Sequence, residues 1–307
     1  VPAGVFAILF DDGITLGQAL VQHPAVKAVG FTGSLKGGRA LMDLAGTRPE
    51  PIPVYAEMGS GNPVFLLPEA LAQSQAAIAK DLAGSVTLGA GQFCTKPGVV
   101  FVHADQAKPF ARDLAAALAA TGPFTLLTAA IDRSFRAGAE ARARAGAVEV
   151  KTPAASAALL LQTDAAALEL NPALADELFG PATLLVVHAS GDDLLRAAER
   201  LHGHLTATVH GTENDLRQHS PLLHVLERKV GRIVFNGYPT GVEVTDAMMH
   251  GGPYPASSSR ETSVGTAAIL RFTRRVCYQN APEAVLPPEL RNDNPLKIRR
   301  RRNGTPE

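Results

Sequence analysis

"VKAVGFTGSLKGGRALMDLA" occupies residues 26–45, and its hydrophobic period changes halfway along. "VKAVGF" (26–31) is an apolar run of strand length, whereas "SLKGGRALMDLA" (34–45) has the spacing of a helix. "FTGS" (31–34) joins them: Gly33 makes the tight turn, and the N–H groups at the helix start can hold an anion such as a pyrophosphate. Many strand–helix turns carry Gly-Ser for turn chemistry alone. The motif therefore decides the local structure and leaves the ligand open.

The same alternation continues outward from this unit. "PVFLL" (63–67) reads as a strand, and after it Leu71, Ile78, Leu82 and Val86 fall on one face of a long helix. "GVVFVH" (98–103) is continuously apolar, as strands covered on both faces are. "TLLVVH" (183–188) precedes a helix in which Asp192 and Asp193 suit the first turn and Leu194, Leu195, Ala198 and Leu201 make a stripe. "LTATVHG" and "GRIVFNG" supply two more strands. The alanine-rich stretch 141–158 has room for a short strand, and "TAAILRFTRRVCYQ" (266–279) reads as a late strand or arm. After Pro282 the chain reads as a surface tail, Pro-rich and then basic. Strand–helix alternation of this kind predicts an α/β protein with a mostly parallel sheet.

Composition narrows the function classes. With 307 residues and 46% apolar side chains the chain can bury a substantial core. A formal net charge of +0 gives no general attraction to nucleic acid or anionic membrane. The exception is "KIRRRR" (297–302), a charge run that reads as solvated tail. Cys94 and Cys277 form no CxxC pair, which fits free thiols in a reducing compartment. With no apolar run of membrane-spanning length and no signal-peptide pattern, a cytoplasmic protein is expected.

Three further stretches could carry chemistry. In "GAGQFCTKPG" (89–98) a rare cysteine follows two glycines that permit close approach by another chain or ligand. Nearby backbone N–H groups favour a thiolate there, although a free cysteine is more often simply packed. "VYAEMGSGNPVF" (54–65) sets Glu57 among apolar residues, where burial predicts a raised pKa and a general-base role; a solvated or salt-bridged glutamate is the plainer alternative. In "DELFGP" (176–181) Glu177 and Phe179 lie on one side of an extended segment, suited to ribose hydroxyls and a flat base, or to an ordinary anchored loop. His202, His204 and His210 show no zinc-ligand spacing and read as surface or strand-end histidines, so no metal site is expected.

Taken in series, "FTGS", "AEMG", "GQFCT" and "ELFGP" resemble the motifs of the aldehyde dehydrogenase superfamily, with "AEMG" in place of the commoner E-L-G-G. The resemblance runs from Val1 to about Gln279. "PIPVYAEM", "NPVFLLP", "VTLGAGQFCT", "NGYPTGVEVTDAMMHGGPYPAS" and "SVGTAAILRF" have the character of the 2-oxoglutarate semialdehyde (2,5-dioxovalerate) dehydrogenase branch, and Lys96 stands where that branch has asparagine.

The resemblance implies an aldehyde-dehydrogenase-like fold: a parallel-sheet catalytic domain with part of a Rossmann-like cofactor-binding domain. It implies that Cys94 attacks the aldehyde carbonyl and that Glu57 activates the water that hydrolyses the thioester. NAD or NADP would lie with its pyrophosphate at Gly33 and Ser34, its ribose on Glu177 and its nicotinamide against Phe179. The Cys94 N–H would supply half of an oxyanion hole, and His250 in "HGGPYP" would fall at the substrate entrance. The expected domains are 1–57, partial cofactor-binding; 58–258, catalytic; and 259–307, an oligomerisation-type strand with a basic tail. The partners expected are a small aldehyde, no nucleic acid, no membrane, and copies of itself as a homo-oligomer when full length.

"VPAGVF" reads as the middle of a folded unit, so this sequence is expected to be the C-terminal portion of a longer enzyme. The second oxyanion donor, an asparagine, and the residues that choose between NAD and NADP would lie upstream. Two alternatives stand beside this reading: a catalytically incomplete fragment, and a cysteine-dependent esterase that turns over no cofactor.

Overall fold

The structure, a computed structural model, describes residues 2–146, 148–149 and 158–307. The chain divides into two compact units, Val1–Arg271 and Phe272–Glu307.

The first unit holds both sheets that matter for function. In the smaller, β1 (Val29–Thr32) and β2 (Val54–Glu57) pair in parallel with Thr32 opposite Glu57. The opening strand–turn–helix is thus real, and its helix, α2 (Leu35–Gly46), is capped by Ser34, whose Oγ accepts from the Gly37 N–H at 3.1 Å. α2 and the preceding α1 (Thr15–Gln22) bury Ala45 and Val21 in one small cluster with Ile52. The buried Arg48 guanidinium closes the end of α1, donating to the carbonyls of Val21, Val26 and His23 at 2.9, 3.0 and 3.1 Å.

Among the described residues the larger sheet has seven strands: β3 (Val64–Leu66), β4 (Val99–His103), β5 (Val148–Glu149), β6 (Leu159–Asp164), β7 (Ala182–His188), β8 (His204–His210) and β9 (Val230–Phe235), in the spatial order β5-β6-β7-β4-β3-β8-β9. All pair in parallel except the edge strand β5, which is antiparallel to β6. β5 is the short strand expected within 141–158; residues 150–157 of that stretch lie outside the described residues.

Helices cover both faces, and this is why the central strands are apolar without alternation. Val64, Leu66, Val100 and Val102 pack on one face with α3 (Pro68–Thr87) and α4 (Ala104–Ala119). Phe65, Val99 and Phe101 pack on the other, the two rings stacked at 4.8 Å, with α6 (Ala165–Leu170), α7 (Gly191–Arg200) and α9 (Ser220–Lys229). The predicted face of α3 is buried at all four positions, Leu71, Ile78, Leu82 and Val86. α5 (Ala129–Arg144) and α8 (Glu213–Gln218) complete the connections, the latter closed by a capping box between Thr212 and Asp215.

Two expectations are corrected. No strand forms over 266–279: Thr266–Phe272 is a 3₁₀ turn and 273–279 carries no regular element. Propensity suits a strand there, but among the described residues no strand of either sheet pairs with it in a ladder. The basic run is exposed as expected, yet it is not an unstructured tail. Arg301–Arg302 forms β10 of a hairpin with β11 (Thr305–Pro306), and Arg300 and Arg302 each pair with Glu307 at 2.9 Å.

No helix among the described residues is long and apolar enough to cross a membrane.

Candidate active site

The chemistry-bearing residues meet between the C-terminal end of β2 and the N-terminal edge of the large sheet. Glu57 is the last residue of β2, while Cys94 precedes β4, Glu177 precedes β7 and His204 opens β8. The segment 256–258 runs antiparallel beside β2, with Met58 N–H on the Ala256 carbonyl at 2.8 Å and Ser258 N–H on the Ala56 carbonyl at 2.9 Å. That pairing carries the preceding loop, with His250, across to Glu57.

The cysteine loop begins where α3 ends. Gly89, Ala90 and Gly91 stand at φ of 58°, 59° and 68°, a left-handed turn that swings the chain out of the helix. A side chain at Gly91 would place a Cβ 2.2 Å from the Gly180 carbonyl oxygen, so this loop and the segment before β7 touch backbone to backbone. Cys94 follows in a turn, partly exposed. Its main chain is held from behind by Asn62, whose Nδ2 donates to the Cys94 and Lys96 carbonyls at 2.8 and 3.0 Å. Asn62 Oδ1 in turn accepts from Ser60 and Thr206 at 2.8 and 3.0 Å. A fully satisfied buried amide of this kind fixes the loop in one position.

Cys94 and Glu57 are brought together, with a third residue between them. His250 Nε2 lies 3.1 Å from Glu57 Oε1 and 3.6 Å from Cys94 Sγ. Ser263 Oγ donates to the other carboxylate oxygen at 2.8 Å. The expected rise in the Glu57 pKa is corrected. Burial does push its carboxyl up, but the bonds from His250, Ser263 and the Cys94 thiol outweigh burial and hold it below the ordinary carboxylate value. In the opposite sense, contact with Cys94 and Glu57 pushes His250 up to about 9 against the cost of burial. At neutral pH the cluster is therefore a carboxylate and an imidazolium beside a sulfur. Nδ1 of His250 is buried with no hydrogen-bond partner among the described residues, a local cost of burying a polar group.

The other expected residues line a second cavity of about 380 Å³, which Ser34, Lys36, Glu177 and Phe179 border. Gly33 stands one residue before this lining and gives its N–H to the Glu57 carbonyl at 3.0 Å. Nothing acidic occupies the first turn of α2, so its N-terminal amides face the cavity without a competing anion. Gly59 leaves room for the Glu177 carboxylate: a Cβ there would come within 2.9 Å of Oε2. Burial raises the Glu177 carboxyl, and the buried Lys96 ammonium and the Ser60 N–H draw it partly back.

Lys96, unremarkable in sequence except as a departure from asparagine, is a structural tie. Its fully buried ammonium donates to the Leu178 and Ala182 carbonyls at 3.0 and 2.8 Å, on either side of Phe179-Gly180-Pro181. Sequence reasoning placed His250 only at a substrate entrance and missed Ser263, Asn62 and Lys96. No local spacing could have revealed them, since His250 and Ser263 are 193 and 206 positions from Glu57. Of the three clustered histidines only His202 is exposed; His204 and His210 sit at the ends of β8 but are buried, a correction to the surface reading. His204 is used structurally, its Nδ1 accepting from the Gly61 N–H at 3.0 Å.

Residues 1–139 match the aldehyde dehydrogenase family. The whole chain is 47% identical to alpha-ketoglutaric semialdehyde dehydrogenase 2 of Azospirillum brasilense, over 60% of that protein's length. It is 43% identical to the alpha-ketoglutaric semialdehyde dehydrogenase of Acinetobacter baylyi, over 99% of this chain and 59% of that one. The chain thus spans about 60% of the length of the curated relatives it matches. Among solved structures, indole-3-acetaldehyde dehydrogenase in complex with NAD+ superposes with a TM-score of 0.69 at 22% identity, covering 84% of this chain and 53% of that one. The fold is that of the aldehyde dehydrogenases.

Proposed function

We propose that this chain, which belongs with the aldehyde dehydrogenases, oxidises a small aldehyde to a carboxylate with NAD+ or NADP+ through a thioester on Cys94. The observation that carries the reading is the grouping of Cys94, His250 and Glu57 beside a cavity suited to a nucleotide. Similarity to two alpha-ketoglutaric semialdehyde dehydrogenases supports 2-oxoglutarate semialdehyde as the substrate.

The geometry supports the following roles. His250 lies against Cys94 Sγ, where its positive charge stabilises the negative charge the sulfur carries as its proton passes to solvent and it attacks the carbonyl. Addition of Sγ gives a tetrahedral adduct whose oxyanion the Cys94 N–H stabilises. NAD+ or NADP+, when bound, would supply the hydride acceptor needed to oxidise the adduct to a thioester. Glu57, ionised at neutral pH, then takes a proton from the attacking water, and collapse of the second adduct releases the carboxylate product and frees Cys94 Sγ beside His250. Gly33, Ser34 and the start of α2 would receive the pyrophosphate, Glu177 the ribose hydroxyls, and Phe179 the nicotinamide. Residues 1–57 contribute to nucleotide binding, 58–258 hold the nucleophile, and 259–307 serve contacts between copies in a homo-oligomer. A cytoplasmic location fits two free thiols.

A second reading, a cysteine-dependent esterase, is favoured by the same thiol–imidazole–carboxylate grouping, which needs no cofactor to turn over an activated ester. The test compares aldehyde-dependent NAD(P)H formation with ester hydrolysis in Cys94→Ser and Cys277→Ser. Cys94→Ser abolishes both activities and Cys277→Ser, an exposed thiol, leaves them. Equal sensitivity of the two variants removes Cys94 from the role. Ester hydrolysis without any NAD(P)H formation in the unaltered protein selects the esterase.

A further inference from the structure

Glu57, Cys94 and His250 offer one ligand atom each, and these atoms all lie within 4.8 Å of one another. Two of the three separations resemble the edges of a zinc coordination tetrahedron. Bond lengths of ~2.3 Å to sulfur and ~2.0–2.2 Å to nitrogen and oxygen give edges of roughly 3.6 Å for N···S and roughly 3.3 Å for N···O. The observed His250 Nε2–Cys94 Sγ and Nε2–Glu57 Oε1 distances are 3.6 and 3.1 Å.

We propose that Cys94 Sγ, His250 Nε2 and Glu57 Oε1 form a three-ligand site for Zn²⁺, which reversibly silences the thiol. The ligand set selects the metal. A thiolate and an imidazole suit Zn²⁺, whereas Mg²⁺ and Ca²⁺ require oxygen ligands. Binding replaces the thiol proton and the Nε2 proton, both of which pass to solvent, and no redox change is involved. Surrounding bonds already orient the donors. Ser263 holds Oε2 at 2.8 Å and so turns Oε1 toward the histidine, while the His250 main-chain N–H is held by Thr262 Oγ1 at 3.0 Å. A cavity of about 360 Å³ borders Glu57, His250 and Ser263 and provides water for the fourth position of an open site.

One feature makes the site reversible rather than structural. A zinc-bound histidine ordinarily donates its other ring N–H to a partner, and loss of that partner costs ~10–100-fold in affinity. Nδ1 of His250 has no such partner among the described residues.

The ligand set stands apart from the proposed activity; only the silencing rests on it. The test titrates chelator-treated protein with Zn²⁺ against a chromogenic chelator. It then repeats the titration with Co²⁺, following the near-ultraviolet thiolate-to-cobalt band. One Zn²⁺ per chain is expected, weakened more than ~100-fold in both Cys94→Ser and His250→Ala, with the cobalt band lost in Cys94→Ser. Cys277→Ser, checked by circular dichroism alongside the others, keeps both the affinity and the band. Equal zinc affinity in the unaltered protein and Cys94→Ser, absence of binding, or a band that disappears with Cys277 instead overturns the proposal. Zinc should also stop NAD(P)H formation, with recovery on adding EDTA. Intact zinc binding in a protein that never oxidises aldehyde leaves the site standing and counts against the dehydrogenase reading.

Discussion

Glu57 reaches Cys94 by way of His250, so the proposed base and the proposed nucleophile are electrostatically linked before any substrate arrives. The consequence is a carboxylate that stays ionised, because the donors around it outweigh its burial. Replacing it with an amide of the same shape separates its proton-transfer role from its packing. On the proposed mechanism, thioester formation in Glu57→Gln should continue while its hydrolysis slows by roughly 10²–10⁴-fold, the usual contribution of a general base. A rapid burst of NAD(P)H, near one equivalent per active site, should then precede slow turnover in stopped-flow absorbance. A variant with no burst and an unaltered steady rate shows that another group activates the water.

At the scale of elements, the site depends on two loops that hold each other. The loop between α3 and β4 carries Cys94 and the segment before β7 carries Glu177, and they meet at Gly91 against Gly180 and through the Lys96 ammonium. Lys96→Met keeps the aliphatic stem but leaves the Leu178 and Ala182 carbonyls without their donor. Each unsatisfied buried carbonyl costs about 1–3 kcal/mol, so the melting temperature falls. The substitution also removes the positive charge that draws the Glu177 carboxyl down, leaving burial to keep it protonated. Cofactor affinity, measured by fluorescence titration, is expected to weaken at least about tenfold, the equivalent of one lost hydrogen bond to a charged group. Unchanged affinity with lowered stability would make Lys96 a packing residue only.

For the molecule as a whole, buried histidines set the acid limit of stability. Burial pushes His204 and His210 down to about 4 from an ordinary 6.5. Each is neutral when folded and takes up a proton on unfolding below about pH 6.5, so the unfolded state binds more protons there. Stability therefore falls as pH drops from about 6.5 toward 4, by on the order of 3 kcal/mol per histidine over the full window. Glu57, held below the ordinary carboxylate value of 4.5, adds a further loss only at more acid pH, below that value. His250 acts oppositely, since its raised pKa gives stability that is complete below 6.5 and disappears as pH rises through about 9. Thermal melts followed by circular dichroism should thus peak near neutrality, with the acid side flattened in His210→Phe. A melting temperature level from pH 7 to 4.5 would mean that these histidines are already solvated in the folded protein.

The sequence by itself determined the parallel α/β architecture, the strands and helices around the site and the four motif stretches, including Gly33, Ser34, Glu57, Cys94, Glu177 and Phe179 as candidates. Those features are local: a period of two or 3.6 residues, a glycine where a turn needs one, a cysteine outside any apolar run. Tertiary structure alone decided that His250 sits between Cys94 and Glu57, that Glu57 titrates low rather than high, and that Lys96 ties two loops. It also decided that 266–279 forms no strand and that the basic run closes into a hairpin. Each of these depends on which donor, charge or strand edge arrives from elsewhere in the chain. A carboxylate among apolar neighbours looks costly to ionise until hydrogen bonds from residues 193 and 206 positions away are supplied. A strand-like run does not become a strand without an edge to pair with it, because ladders between strands are made by the fold and not by propensity.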